Sequence, residues 1–373
     1  ETGKYLMNKI FNNNNVYILG AGFSIDGNMP LIKNFLVKMR ETAEWLEKKK
    51  DSKNLNSIQK VFEFRLKASG AAYRINIDID DIEQLFSLAT AKENTEFNQH
   101  IIESIASTLH YCEETNETKY INLTVTHDYL KNFPNAKDIK ENYGNSSYTN
   151  CKIDLYEYIV ANMINIYDKS IKNQSESNSF ISFNYDTILE QSIWNLGLKV
   201  NYCLSRAGNL DRQDIFDQTS GLKILKLHGS LNWTASGTQG QKLKLLKNYL
   251  EATESNNSKI LLPPTWQKSF SGSLKEVWDS AIDRISEATR IVIIGFSIPD
   301  TDIHFKYLLS AGLQDNISLQ KILFINPMEK TEFRTKITKI FHEKFLDSGL
   351  IEHIQIKASD FFSQNDYLKK INR

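Results

Sequence analysis

Three residues with chemically useful side chains follow two short apolar runs: Asn184 and Asp186 follow one run, and His228 follows another. An amide donates and accepts hydrogen bonds, an ionised carboxyl group accepts them, and an imidazole exchanges protons near neutral pH. Because the carboxyl ends of parallel strands meet at one edge of a sheet, these side chains are candidates for one catalytic site. Two of them also have a structural alternative: Asn184 can cap a helix that begins near Thr187, and a histidine at a strand end is usually structural.

A glycine-bearing turn follows the first apolar run of the chain, Val16–Leu19. Glycines let the backbone approach an anion closely, and free N–H groups at the start of a following helix attract phosphate. The turn therefore predicts phosphate binding, although an ordinary strand-to-helix turn is an equally good interpretation of the motif alone. The fingerprint of a nicotinamide oxidoreductase would need a third glycine where Ile25 stands. The turn consists of Gly20, Ala21, Gly22, Phe23 and Ser24.

Apolar runs that stop at polar or glycine residues predict buried parallel strands, which must position these side chains. Helical spacing of apolar residues from Leu31 to Lys50 predicts a helix after the first strand. The predicted fold class is α/β, a Rossmann-like doubly wound parallel sheet with a large helical insertion and no zinc module. The predicted strands lie at Val16–Leu19, Phe180–Phe183, Ile224–Leu227, Ile291–Ile294 and Ile322–Ile325.

The predicted domain organisation is discontinuous. Residues 1–50 and 173–330 form the Rossmann-like domain, and residues 51–172, with helical periodicity and polar joints, form the helical insertion. Residues 331–373 are predicted to be a C-terminal α/β tail that packs on the core.

Composition excludes several classes of function. Lysine plus arginine equal aspartate plus glutamate at 45 each, so there is no direct signal for nucleic acid or an anionic membrane. The sequence contains no apolar stretch of the roughly 20 residues that a membrane span needs. Its three cysteines, Cys112, Cys151 and Cys203, form no CxxC pair, which argues against a disulfide framework and a cysteine zinc site. We therefore expect a reducing, cytoplasmic setting.

Five separated segments, taken in chain order, resemble the motifs of sirtuins and sirtuin-like NAD hydrolases. Gly27 and Pro30 continue the first of them as the family's glycine and proline do. The resemblance frames most of the chain but leaves out the helical insertion and the residues after Asn326. The segments are Gly20–Ser24 for GAGxS, Ser182–Asp186 for TQNxD, Lys226–Ser230 for LHG, Gly295–Ser297 for GxS and Ile325–Asn326 for IN.

The resemblance implies roles for these residues around NAD, which would be a substrate lying across the strand ends. No metal is expected. Asn326 precedes a proline, so a simple turn role is an equally good interpretation of it. By the resemblance, Gly20, Ala21, Gly22, Phe23 and Ser24 hold the pyrophosphate, Gly295 and Ser297 close on it, Asn326 contacts the adenosine ribose, Asp186 faces the nicotinamide carboxamide, Asn184 contacts the nicotinamide ribose and His228 is the general base.

Departures from the sirtuin deacylases favour hydrolysis of NAD. The chain has too few cysteines for their four-cysteine zinc module, Leu31–Lys33 replaces their Asp-Phe-Arg stretch, and Phe183 replaces their glutamine. The chain is similar to bacterial antiphage-defence sirtuin-like NADases. This implies an NAD+ glycohydrolase that releases nicotinamide and ADP-ribose and depletes NAD during infection, as a homo-oligomer or beside a HerA-type ATPase or other defence partner. The alternatives are an NAD-dependent ADP-ribosyltransferase or deacylase, and a non-catalytic module that senses NAD or a related nucleotide.

Two further groups of residues have open roles. Asp302 and His304 are candidates to line the site, while Asp300 and Thr301 are equally good helix caps. An acidic cluster within 78–83 suggests either a metal site or, more simply, the charged start of a helix. The cluster consists of Asp78, Asp80, Asp81 and Glu83.

Overall fold

A computed structural model of the protein describes residues 14–74, 77–91, 95–139, 148–166, 177–204, 214–236, 242–254, 259–265, 272–298, 303–364 and 370–371. The described strands are β1 Asn15–Leu19, β2 Tyr120–Thr126, β3 Lys137–Ile139, β4 Tyr148–Asp154, β5 Asn178–Ser182, β6 Val200–Asn201, β7 Leu222–Lys226, β8 Gly229–Ser236, β9 Lys242–Leu245, β10 Lys259–Leu261, β11 Arg290–Ile294, β12 Lys321–Asn326 and β13 Ile351–Gln355. The described helices are α1 Phe35–Lys49, α2 Ser52–Ala72, α3 Ile82–Thr90, α4 Thr95–Glu114, α5 His127–Leu130, α6 Leu155–Met163, α7 Ile188–Asn195, α8 Tyr249–Glu254, α9 Ser273–Ser286, α10 Ile303–Leu313, α11 Lys330–Ile337, α12 Glu343–Asp347 and α13 Ala358–Phe362.

The main sheet has seven strands in the order β13-β12-β11-β1-β5-β7-β6, and every neighbouring pair is parallel. The first strand, β1, lies between β5 on one side and β11 on the other. Its last residue, Leu19, is in register with Ser182 of β5 and Ile294 of β11. The chain extends the sheet to one side of β1 first and to the other side later, so a crevice is expected where these directions diverge. The predicted doubly wound parallel sheet is confirmed.

The central strands are apolar because both faces of the sheet are covered. Ile18, Ile293 and Phe324, one from each of three neighbouring strands, are fully buried. All five predicted strands are present. The sequence did not predict the edge strands β6 and β13. Strand β6 is only two residues long, and β13 is partly exposed and contains polar residues.

The structure differs from the prediction in part of the segment 51–172. Helices α2, α3 and α4 pack together with α1 around an apolar cluster that also includes Leu231 of β8 and Leu261 of β10. Residues 120–154, however, contain an antiparallel sheet in the order β2-β4-β3. The expectation of helix throughout is therefore wrong here. The reason lies in Tyr120–Thr126, where β-branched residues and alternating burial follow the two-residue period of a strand.

The segment after residue 330 contains helices and a strand. Strand β13 pairs in parallel with β12, so this segment contributes an edge of the main sheet itself. None of the helices in the described residues is long and apolar enough to cross a membrane. The domain boundaries stay predictions.

Candidate functional site

The glycine turn leads from β1 into short 3₁₀ turns rather than directly into a regular helix. Two of these are Ala21–Phe23 and Ile25–Gly27, and helix α1 begins only at Phe35. Asn28 has a left-handed backbone (φ 64°) and ends the second turn, and Pro30 has no N–H to continue a helix. Phosphate binding would therefore depend on the N–H groups of the turn, without the dipole of a long helix beside them.

Three glycines bring the turn after β1 against the turn after β11. The Gly22 N–H donates to the Gly295 carbonyl at 2.8 Å, and the Gly20 N–H donates to the Ile294 carbonyl at 3.0 Å. A Cβ on Gly22 would lie 2.7 Å from the Gly295 oxygen, and a Cβ on Gly295, where φ is +64°, would lie 2.1 Å from the Phe23 nitrogen. Side chains would separate the two turns, so glycine is needed here for close backbone packing. Ser297, two residues beyond Gly295, is exposed.

Asn184 joins the end of β5 to the glycine turn. Its Nδ2 donates to the Gly20 carbonyl and to Ser24 Oγ, each at 3.0 Å, and the side chain is buried. Within the described part of the chain, its Oδ1 accepts no hydrogen bond. The helix-capping alternative does not apply to Asn184, because Asp186 Oδ1 instead accepts the Ile188 N–H at 3.2 Å. Asn184 and Ser24 are thus brought together as expected, with one amide oxygen left to contact a ligand.

His228 lies among aromatic side chains just after β7. Its ring packs edge-on against Phe183, with centroids 5.3 Å apart, and lies 6.0 Å from the ring of Tyr185. Phe183 also contacts Phe296, beside the second glycine turn, at 5.1 Å. The imidazole is largely buried, with 7% of its residue surface exposed. Phe183, which stands where the family has glutamine, therefore forms an apolar wall between His228 and the glycine turns.

A buried ion pair between Lys226 and Glu190 contacts the main chain of Asp186. Lys226 Nζ lies 3.2 Å from Glu190 Oε1, and the two side chains are 1% and 0% exposed. The same ammonium group donates to the main-chain oxygen of Asp186. Burial raises the pKa of Glu190, and the Lys226 charge opposes this. A lysine inside an apolar strand indicates a buried partner, but local patterns do not identify which carboxylate it is.

Glu113, the penultimate residue of α4, is a second acid near Asp186. Thr187 Oγ1 donates to its Oε1 at 3.3 Å. Burial and the neighbouring Asp186 charge raise the pKa of Glu113 to about 7. The sequence alone does not point to Glu113, because nothing near it in the chain indicates that α4 ends beside the strand edge.

Tyr156, in α6, is a further residue that sequence analysis missed. Its hydroxyl donates to the Phe23 carbonyl at 2.9 Å and accepts the Gly27 N–H at 2.9 Å, so it fixes the glycine turn from outside. Burial raises the pKa of its phenol, with a smaller effect from the Asp186 charge. Trp278 of α9 donates its indole N–H to the Leu227 carbonyl at 3.0 Å, next to His228.

The side chain of Asn326 is occupied by protein groups. Its Nδ2 donates to the Phe296 carbonyl at 3.1 Å, and its Oδ1 accepts the Met328 N–H at 3.1 Å and lies 3.0 Å from His353 Nε2. These bonds favour the turn interpretation, and its contact with a ribose stays a prediction.

The remaining candidates lie elsewhere. Asp300, Thr301 and Asp302 fall outside the described residues, and His304 packs near Trp278 with ring centroids 6.1 Å apart. In the acidic cluster, Asp81 caps α3 by accepting two of its backbone N–H groups, and Asp80 pairs with Arg65. These contacts support a charged helix start.

Residues 178–347, from the start of β5 to the end of α12, match the SIR2-like domain family. This segment is similar to SIR2-like domains. Asn184 and His228 lie within the matched segment, whereas β1 and the glycine turn precede it. The part of Gly20–Ser24 in a nucleotide site of the SIR2-like domain therefore stays a prediction.

Solved structures similar to this chain are sirtuins at low identity. Sir2 with the inhibitor EX-527, 2′-O-acetyl-ADP-ribose and a deacetylated p53 peptide is 11% identical, with a TM-score of 0.38 over 99% of each chain. A Sir2 homologue mutant with 2′-O-acetyl-ADP-ribose is 12% identical, with a TM-score of 0.42 over 99% of this chain and 96% of that one. Sir2 with a p53 peptide and NAD+ is 12% identical, with a TM-score of 0.38 over 100% and 99%. No curated relative matches the chain.

Proposed function

We propose that the protein is an NAD+ glycohydrolase, which uses water to cleave NAD+ into nicotinamide and ADP-ribose with release of a proton. The observation that carries the proposal is the position of Asn184, which spans from the end of β5 to the glycine turn through Gly20 and Ser24. His228 follows the adjacent strand β7. An amide oxygen, an imidazole and a glycine turn thus follow the neighbouring strands β5, β7 and β1, beside the switch point where a dinucleotide would bind.

The chemistry of NAD cleavage suits these side chains. Nicotinamide leaves a cationic pyridinium as a neutral molecule, so its departure needs no proton and produces an oxocarbenium-like ribose. The step instead needs a ribose held still and a base for a hydroxyl group or a water molecule. The Asn184 Oδ1 is suited to accept a hydrogen bond from a ribose hydroxyl. His228 is suited to the role of this base, because an imidazole exchanges protons near neutral pH.

The glycine turn is the proposed pyrophosphate site. Among the described residues no acceptor takes the Ala21 N–H, and Ala21 is exposed, so this donor is available to an anion. Gly22 and Gly295 allow close approach of a ligand as well as of each other. Such a turn alone would also bind the phosphates of other nucleotides. NAD is proposed because the turn occurs together with Asn184 and His228.

The wider biological role is proposed on the resemblance to antiphage-defence NADases. It comprises NAD depletion during infection, a cytoplasmic location, and assembly as an oligomer or with a HerA-type ATPase. The small number of cysteines supports hydrolysis over deacylation, because Cys112 and Cys151 are buried apart from any cysteine cluster and Cys203 is half-buried.

The test is to incubate purified protein with NAD+ and to follow nicotinamide and ADP-ribose by chromatography. His228→Ala should lower nicotinamide release at least about 10²-fold, the usual contribution of a general base. The matched control is His342→Ala, because His342 is exposed and only caps the short helix α12. Circular dichroism should report the same fold for both variants. Full activity in His228→Ala, or consumption of an acetylated peptide in place of NAD hydrolysis, would contradict the proposal.

A further inference from the structure

Glu113 brings a carboxyl group from the helical segment to the turn after β5, 74 residues away in sequence. The hydroxyl of Thr187 donates to Glu113 Oε1 at 3.3 Å. The adjacent residue Asp186 accepts the Ile188 N–H at 3.2 Å. Two carboxyl groups from distant parts of the chain therefore hold the start of α7: Asp186 accepts the N–H of its first residue, Ile188, and Glu113 accepts the hydroxyl of Thr187, which precedes it.

The charged and titratable groups that face Glu113 come from several elements. Asp186 lies in the turn after β5, Lys226 in β7, Tyr249 in α8 and Cys112 beside it in α4. Burial raises the pKa of Cys112 to about 12, and burial also raises the pKa of Tyr249 above its usual range. These two groups are therefore neutral at physiological pH. Burial and the Asp186 charge raise the pKa of Glu113 to about 7, so Glu113 changes charge there.

We infer that Glu113 is a positioning residue of the NAD-cleaving site, which holds Thr187 and the start of α7 in place from the helical segment. The inference rests on the proposed function. An ionised carboxyl group binds N–H and O–H donors more strongly than a neutral one does. Asn184 precedes Asp186 by two residues, so loosening this turn moves the amide that contacts the glycine turn. NAD cleavage should therefore increase as the pH rises through about 7 and Glu113 ionises.

The first experiment compares kcat/KM for NAD+ between about pH 5.5 and 8.5 in three variants. Glu113→Ala removes the acceptor and should lose roughly tenfold at the upper end of the range. Glu113→Gln keeps an acceptor without a charge, so its rate should lack the rise near neutral pH. The matched control is Glu114→Gln, because Glu114 is exposed and, among the described residues, forms an ion pair with Lys49 alone, at 3.7 Å. This control should keep the wild-type pH profile.

The second experiment does not depend on catalysis. With ¹⁵N-threonine labelling, the Thr187 amide resonance should titrate near pH 7 in the wild type without any nucleotide, and it should lose this transition in Glu113→Gln. Should the protein prove inactive on NAD, the proposed function fails, and this resonance still decides whether Glu113 holds the turn. The inference is overturned if the Thr187 resonance does not shift with pH, or if kcat/KM of Glu113→Gln depends on pH as it does in the wild type.

Discussion

Replacing Lys226 by methionine removes a buried cation while keeping most of the length of the side chain. Lys226 is 1% exposed and its Nζ lies 3.2 Å from Oε1 of Glu190, which is 0% exposed. The substitution leaves the Glu190 charge buried without its partner, and it removes the bond donated to the main-chain oxygen of Asp186. Breaking a buried pair from one side costs about 3–5 kcal/mol. We therefore expect Lys226→Met to lower the free energy of unfolding by ~3–5 kcal/mol at neutral pH.

Urea unfolding followed by circular dichroism measures this loss at about pH 5 and 8. Burial already raises the pKa of Glu190 in the folded protein. When the folded-state pKa of an acid is raised, the protein loses stability as the pH rises towards that pKa. Without Lys226 the pKa rises further, so the deficit should be smaller at the lower pH. Lys226→Met combined with Glu190→Leu removes both charges and should recover most of the loss. A single variant within ~1 kcal/mol of the wild type, or a double variant as unstable as the single one, would refute this reasoning.

Three other substitutions test separate contacts. Tyr156→Phe removes the hydroxyl that joins Phe23 of the glycine turn to the backbone of Gly27, so the KM for NAD+ should rise about 5-fold or more while kcat changes little. Gly295→Ala should lose ~2–4 kcal/mol in thermal unfolding. Its Cβ would lie 2.1 Å from the Phe23 nitrogen, whereas a Cβ on the control position Gly70 meets nothing within 4 Å. Because the pKa of Glu113 is raised from 4.5 to about 7, stability falls as the pH rises between these values. Glu113→Gln should remove this loss of ~3 kcal/mol in urea unfolding.

Each of these expectations has a distinct contrary result. An unchanged KM in Tyr156→Phe would mean that the glycine turn does not contact the nucleotide. A Gly295→Ala protein as stable as Gly70→Ala would contradict the close packing of the two glycine turns. If the free energy of unfolding of Glu113→Gln falls with pH as steeply as that of the wild type, another acid causes the loss.

The sequence by itself determined the strands of the main sheet and the polar residues at their ends. A buried parallel strand needs a run of apolar residues, and the turn after it needs polar or glycine residues, so both signals lie within about ten residues of chain. For this reason Asn184 and His228 could be assigned to adjacent strand ends, and Gly20–Ser24 to a turn at the same edge. The sheet of residues 120–154 also has a local signal, the alternation of β-branched residues in its first strand. Helical periodicity on both sides of this sheet led instead to the prediction of a helical segment.

Only the tertiary structure decided which distant groups complete the site. Tyr156 reaches Phe23 across 133 residues of chain, and Thr187 reaches Glu113 across 74. No local pattern predicts such a pair, because each partner satisfies its own helix or turn equally well without the other. The same holds for Lys226, whose carboxylate partner depends on how α7 packs against the sheet. Hydrogen bonds and charges act over a few ångströms in space, and the fold alone determines which residues come within that distance.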